Sequence, residues 1–510
     1  MIRYIQKEWE KNSLRVILVI AFVLRLISVF FSKGYGMHDD HFLIIESSQS
    51  WVDGYDYNYW LPWNQGSNPI PQGHSFFYIG IHYLIFLFFK FIGIIDPNIK
   101  MLLIRFFHAV YSLLVISLSY KITTKLSNKK NADIVGLIIS FLWMMPFFSV
   151  RNLVEMVAIP PLLASIWIII KTDKPSLKQY LISGLIGGLA FSIRYQTGLF
   201  LGGMGLVLLY QKQFKQAIVY GISVIISISI FQGGIDMFIW HKPFAELTEY
   251  VRYNIANKND YLSKPWYFYI LLLLGVFVPP YSIMLFLGFF NTKKKYLLVF
   301  VPTLIFLIFH SYFPNKQERF IFSVLPLYLL LGVIGINNFI ENRKNNKVYK
   351  SIYKYSFIFF LIINFILLSF ATTTYSKKAR VEAMYYLYKK QAKGDILYEG
   401  TNKDGSKLLP QFYSGKWRHI YHIDNENNYN TYENMPDSVK PNFKYFLFYG
   451  NDNLKARTKR VENIFGKIDL EYKSAPGFVD WLLYTINPNN SNDTIFIYSP
   501  IQNQTIIKNK

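Results

Sequence analysis

Leu14-Arg-Val-Ile-Leu-Val-Ile-Ala-Phe-Val-Leu-Arg25-Leu-Ile-Ser-Val-Phe-Phe-Ser32 runs directly into Lys33-Gly-Tyr-Gly36-Met-His38-Asp39-Asp40-His41-Phe-Leu-Ile-Ile-Glu46. The first half has the length and apolarity of a membrane-spanning helix, since crossing the hydrocarbon core takes roughly 20 apolar residues. The second half sets three carboxylates and two imidazoles just past the end of that helix. Asp53 and Asp56 extend the acidic run, and Lys33 is the only Lys or Arg between Ser32 and Phe76. Such a loop suits general-base work on a hydroxyl, which needs an ionised, positioned and partly shielded carboxylate. The same residues also read as an ordinary acidic loop, and on this stretch alone the two readings balance.

The rest of the chain repeats the apolar pattern. Of its 510 residues 52% are hydrophobic, and mean hydropathy is +0.20. Twelve apolar blocks lie between Leu14 and Phe370, among them Phe76 to Ile95, Ile134 to Val150, Tyr180 to Ile193, Gly198 to Tyr210, Trp266 to Phe290 and Ile352 to Phe370. Five short linkers are basic: Lys125 with Lys129 and Lys130; Lys171, Lys174 and Lys178; Lys212 and Lys215; Lys293, Lys294 and Lys295; and Arg343, Lys344, Lys347 and Lys350. The positive-inside rule puts these linkers and the basic N-terminus in the cytoplasm, and the acidic loop outside. Parity then requires about eleven spans, with Phe76 to Ile95 a juxtamembrane or partly inserted helix. The net charge of +23 is accounted for by the cytoplasmic loops, so no nucleic-acid partner is expected. The absence of cysteine excludes disulfides and thiolate chemistry. The N-terminus lacks the pattern of a cleaved signal peptide, so the first helix is expected to be retained.

These features divide the chain into a membrane domain, residues 1–373, whose first outer loop is 33–75, and a small extracytoplasmic α/β domain, 374–510. In the latter, Asp395 to Tyr398, Tyr445 to Tyr449 and Thr494 to Tyr498 read as strands, and Asn453 to Phe465 as a helix. It carries no catalytic constellation, which suggests a structural or acceptor-positioning role.

Four cationic positions fall where helices meet the outer face. Arg151 precedes Glu155 by four residues, which on a continuing helix puts both on one face. Arg194 splits two apolar runs, and Lys316 and Arg319 lie between two others. Ionisable residues at membrane depth are costly and mark function, although snorkelling at helix ends explains any one of them. Together they suit an arginine-held phosphate facing a carboxylate. Arg25, mid-helix, is assigned no role.

The segment Asp39 to Glu46 resembles the first-loop signature of the glycosyltransferase family 22 mannosyltransferases, which assemble GPI anchors and N-glycans. Arg151-Asn-Leu-Val-Glu155 is similar to a second element of that family, and Ile193-Arg194-Tyr-Gln-Thr197 to a third. Asp236 with Tyr253-Asn254 and Lys264-Pro-Trp-Tyr-Phe-Tyr269 resembles a fourth, and Asn315-Lys316-Gln-Glu-Arg319-Phe320 a fifth. In the family pattern Met37-His38 stands in place of His-Pro, Tyr195 in place of Pro, and Asn315 and Gln317 in place of His and Glu. The resemblance implies a GT-C membrane fold and an inverting transfer of mannose or a similar hexose from a polyprenyl-phosphate donor. The acceptor would be a lipid-linked glycan or another glycolipid on the extracytoplasmic side. It implies catalytic Asp39 and Asp40, acceptor or support roles for His41, Glu46, Glu155 and Asp236, and donor-phosphate binding by Arg151, Arg194, Lys316 and Arg319. No metal or other cofactor is implied. The richness in Lys, Asn, Ile, Phe and Tyr suggests a bacterial member, placed in the inner membrane. Two alternatives stand beside this one: a transporter or flippase of a lipid-linked sugar, and a related enzyme modifying lipid A, protein or surface polysaccharide.

Overall fold

The computed structural model describes residues 2–501 apart from 261, 262, 292–295, 344, 437, 439, 491 and 492. Lys293, Lys294, Lys295 and Lys344 of the basic linkers lie outside the described residues. The chain divides into two compact units. One comprises Met1–Phe30, Asn58–Leu84 and Leu102–Thr373; the other comprises Phe31–Tyr57, Ile85–Met101 and Thr374–Lys510. The acidic segment is therefore grouped with the C-terminal residues, not with the helix that precedes it.

The first unit is helical. Among the described residues, five helices have the length and apolarity to cross a membrane unbroken: Gln6–Phe31, Pro97–Leu126, Phe214–Trp240, Glu318–Asn342 and Lys347–Thr373. Six shorter apolar helices accompany them: Phe76–Phe91, Val154–Ile170, Leu177–Ile193, Thr197–Tyr210, Tyr281–Phe290 and Leu297–Tyr312. The helix Leu325–Asn342 is buried from Leu325 through Asn337, as expected of a helix apolar on all sides and enclosed by others. It meets the helix Tyr281–Phe290 where Gly335 and Gly332 face Gly288 and Leu285, whose backbones occupy the space a side chain would need. Small residues allow such close approach between apolar helices.

Two blocks read as continuous are broken, and one expected helical pairing is not formed. Ile134 to Val150 is a helix to Phe141, then a separate turn Met145–Ser149 that starts with Pro146 in its first turn. Trp266 to Phe290 divides at Pro279-Pro280 into Phe268–Val276 and Tyr281–Phe290, because prolines remove the amide donors a continuing helix needs. Arg151 and Glu155 do not share one helix. Residues 151–153 are non-helical and a new turn, Val154–Val157, carries Glu155, so the four-residue spacing does not align them.

The second unit is built on a five-stranded sheet of order β2-β1-β3-β5-β4, with β1 Asp395–Glu399, β2 Ile420–Ile423, β3 Phe443–Tyr449, β4 Ile468–Ser474 and β5 Ile495–Pro500. The β1–β2 and β1–β3 pairs are parallel, and β5 runs antiparallel to β3 and β4. Leu397, Phe446, Phe448 and Val461 are among its fully buried side chains. The acidic segment is tied to this unit by backbone: Gly34 bridges Ser376, and the Ser376 amide donates to the Lys33 carbonyl at 3.1 Å. Gly34 has φ +73°, and a Cβ there would collide with the Ser376 carbonyl. Gly34→Ala is expected to cost about 1–3 kcal/mol through the left-handed backbone and the displaced bridge, seen as a lowered Tm in detergent.

Candidate active site

In the second unit the acidic residues occupy a helical turn His38–His41, a π-helical turn Phe42–Glu46 and a helix Ser47–Val52. Their carboxylates do different things. The two oxygens of buried Asp40 accept the Gly36 and Met37 amides, each at 3.0 Å, so this carboxylate caps the turn on which it stands. Asp39, the preceding residue, is half-buried. Asp53 accepts from the side-chain amide of Gln49 and the indole of Trp417, and Asp56 from the indole of Trp51.

His41 and Glu46 are wholly buried. The imidazole lies between the rings of Tyr35 and Tyr413, at 4.6 and 5.4 Å, nearly parallel to both. Its Nε2 is 3.1 Å from Glu46 Oε1, which also accepts the Phe412 amide at 3.0 Å. Burial pushes the imidazole down to about 3 and the Glu46 carboxyl well above its ordinary range. The imidazole is therefore neutral at pH 7. The turn Gln411–Ser414 packs them in, so the acidic segment takes its shape from residues nearly four hundred positions later in the chain.

A second cluster lies within the first unit. The carboxylate of buried Glu155 is 3.0 Å from the Arg194 guanidinium and 3.7 Å from that of Arg319. Arg194 breaks the chain between two helices in extended conformation. Arg319 is placed by the 3-10 segment Glu318–Val324, and its Nε donates to Gln317 at 2.8 Å. Both guanidiniums lie near the Phe320 ring, at 5.1 and 5.7 Å from its centroid. Phe320 lines a cavity of about 420 Å³ together with Tyr195, Gln196, Tyr250, Phe313 and His310. Gln196 hydrogen-bonds the Tyr250 hydroxyl. The arrangement is an apolar, aromatic chamber with two arginines and one carboxylate at its edge.

The other two cations sit differently. Arg151 donates to the Phe147 carbonyl at 2.6 Å, with its guanidinium 3.5 Å from the centre of the Phe147 ring. Lys316 is buried and donates to the Phe313 and Lys264 carbonyls at 2.5 and 3.0 Å. Arg25, fully buried, donates to Ser112 and to the Ala21 and Ser140 carbonyls.

Asp236, in the same unit, belongs to a chain of polar contacts. It accepts the Gln232 side-chain amide at 2.9 Å and the Glu246 backbone amide at 3.1 Å. Glu246 Oε2 in turn accepts the Gly73 and His74 amides at 2.6 and 3.1 Å. Glu246 is wholly buried, and that burial, with Asp236 adding to it, raises its carboxyl to about 8 from the usual 4.5. The folded state thus keeps a proton that the unfolded chain gives up. Stability is full below pH 4.5 and falls as pH rises toward 8, by at most about 1.4 kcal/mol per pH unit. Glu246→Gln is expected to flatten the decline in Tm between pH 6 and 8; a variant with the wild-type slope would place the titration elsewhere.

Glu246, Tyr250, Gln196 and His310 are not singled out by the sequence reading. A signal for the helix was present: Leu247, Tyr250, Val251, Asn254 and Ile255 recur at helical spacing on one side of the otherwise charged helix Ala245–Ala256, and all five line the cavity. Among the described residues no group of three or more His, Cys, Asp or Glu side chains is placed to hold a metal ion.

These features are those of a polytopic helical membrane protein with a charged, aromatic-lined site. The sequence profile of the Alg9-like mannosyltransferase family matches residues 16–401, and the chain belongs to that family. Comparison with curated proteins finds no match. The fold is similar to that of ArnT from Cupriavidus metallidurans. The apo form aligns with TM-score 0.59 and the form bound to undecaprenyl phosphate with 0.58; each is 12% identical and covers 96% of this chain and 98% of its own. The archaeal oligosaccharyltransferase AglB from Archaeoglobus fulgidus, in complex with an inhibitory peptide and a dolichol-phosphate, aligns with TM-score 0.47 at 12% identity, over 89% of this chain and 71% of its own.

Proposed function

We propose that the protein is an inverting hexosyltransferase that moves mannose or a similar sugar from a polyprenyl-phosphate donor to a lipid-linked glycan or other glycolipid acceptor. The observation that carries this reading is the pairing of Arg194 and Arg319 at the edge of the aromatic cavity. An isoprenoid chain suits the apolar walls, and a phosphate suits two guanidiniums that converge on one carboxylate position. ArnT, whose fold this chain shares, was solved with undecaprenyl phosphate, which supports the same donor class.

In the proposed reaction the acceptor hydroxyl loses its proton to Asp39 as its oxygen attacks the anomeric carbon. The bond from that carbon to the phosphate oxygen breaks with inversion, and the electron pair leaves on the polyprenyl phosphate. Negative charge grows on the phosphate as the bond opens, so fixed guanidiniums bind the transition state more strongly than the donor. In this scheme Lys316 and Arg151 add positive potential, Asp40 holds the turn that carries Asp39, and His41, Glu46, Glu155 and Asp236 shape the acceptor side. We place about eleven spans in a bacterial inner membrane, with the N-terminus cytoplasmic and the site and C-terminal domain outside, on the strength of the loop charges.

The test is transfer by purified protein in nanodiscs, supplied with a panel of undecaprenyl-phosphate sugars and glycolipid acceptors. Release of undecaprenyl phosphate together with a glycosylated acceptor is expected. Passage of intact lipid-linked sugar across the bilayer without turnover would replace the transferase reading by the flippase one.

A further inference from the structure

The helix Phe478–Ile486 in the second unit has its amphipathic faces reversed with respect to the protein. None of its nine residues is fully buried, and Phe478, Trp481, Leu483 and Ile486 are exposed by 50–72%. Among the described residues beyond Thr373 there are seven exposed large apolar side chains, and these are four of them, so the exposure is concentrated on this one element. At 100° per residue, Phe478, Val479, Trp481, Leu482, Leu483 and Ile486 form an apolar arc interrupted by Thr485 alone, with Asp480 and Tyr484 opposite. The polar side is the one turned inward: Asp480 is half-buried and Lys403 lies 5.3 Å from the Tyr484 ring while bonding the Pro488 carbonyl. A surface helix of a soluble domain shows the opposite arrangement.

What covers this face follows from where the helix starts. Gly477, its N-cap, lies against the Tyr375 carbonyl closely enough to exclude a Cβ. Tyr375 is two residues beyond Thr373, the end of the membrane-spanning helix Lys347–Thr373. The helix therefore begins beside the point where the chain leaves the bilayer. The Phe478 and Trp481 rings lie 6.0 Å apart at that end, tilted by 34°, and amphipathic aromatic rings favour the headgroup level. We propose that Phe478–Ile486 is an interfacial helix that lies in the bilayer surface with its apolar arc among the lipids, anchoring the C-terminal unit to the membrane.

The chain contains no cysteine, so a single introduced one reports its own position. Ile486→Cys, the most exposed position, and Asn427→Cys, an exposed position on the helix Glu426–Glu433, would each be spin-labelled in the full chain in nanodiscs of phosphatidylethanolamine and phosphatidylglycerol. Collision with oxygen, which partitions into lipid, would be compared with collision with a water-soluble nickel chelate. At 486 the oxygen-to-nickel ratio is expected to exceed that at 427 several-fold. Equal ratios at the two sites in nanodiscs would overturn the proposal, as would protection of position 486 from both reagents, which would mean a protein surface covers it. This readout is independent of catalysis.

Discussion

Replacing Arg319 with alanine is expected to lower kcat/KM for transfer by roughly 10²–10³-fold, the loss typical of removing one fixed donor from a developing oxyanion. Arg319 is 5% exposed, its Nε is held by Gln317, and its guanidinium is 3.7 Å from Glu155 and beside the Phe320 ring. The group is thus oriented before any donor arrives. Arg319→Lys should recover little, because an ammonium reproduces neither the planar fork nor the stacking on Phe320. Arg194→Ala should give a loss of the same order, and the double variant less than the product of the two, since both guanidiniums share Glu155 and the two effects couple. The control is Lys125→Ala, which removes an exposed pair with Asp173 and should change neither turnover nor stability appreciably. Donor binding measured alongside turnover separates the two ways in which the Arg319 variant could lose activity. If kcat/KM stays within a few-fold of wild type, the arginine pair does not meet the leaving phosphate and the cavity serves another purpose.

What the sequence showed of this arrangement depended on how local each signal was. The split at Arg194 was legible because an ionised side chain cannot continue an apolar run, and the chain does leave the helix at that residue. The pairing of Arg194 and Arg319 with Glu155 was not, since they meet across 164 positions of sequence and only tertiary packing brings them together. Arg151, four residues from Glu155, looked like the nearer partner, but the backbone breaks at 151–153 and points it to Phe147 instead. In the C-terminal unit the three central strands β1, β3 and β5 were readable as apolar runs. The strands missed were β2 and β4, the two edges, where one face meets solvent and charged residues such as Asp469, Glu471 and Lys473 interrupt the pattern. The acidic segment was conspicuous in the sequence, yet its fold was not: the π-helical turn and the buried His41–Glu46 pair exist because Phe412 and Tyr413 pack on them.

That packing bears on the second large effect. Asp39→Asn is expected to lower kcat by roughly 10²–10⁴-fold, the contribution of a positioned general base, while donor affinity stays near wild type. Asn is isosteric and cannot accept the acceptor's proton, so the loss should fall on the chemical step and not on the fold. The informative comparison is Asp40→Asn. Asp40 shares the turn, but its two oxygens accept the Gly36 and Met37 amides, and an asparagine can accept only one of them. Its amide nitrogen would face a backbone donor, leaving a buried group unsatisfied at a cost of about 1–3 kcal/mol. Asp40→Asn should therefore lower Tm as well as activity, whereas the loss in Asp39→Asn should fall chiefly on kcat. The pH dependence separates the two further. If Asp39 is the base, the acidic limb of the wild-type pH–kcat profile should vanish in Asp39→Asn and persist in Asp40→Asn. A persistent limb in Asp39→Asn, with turnover near wild type, would move the proton transfer to another group.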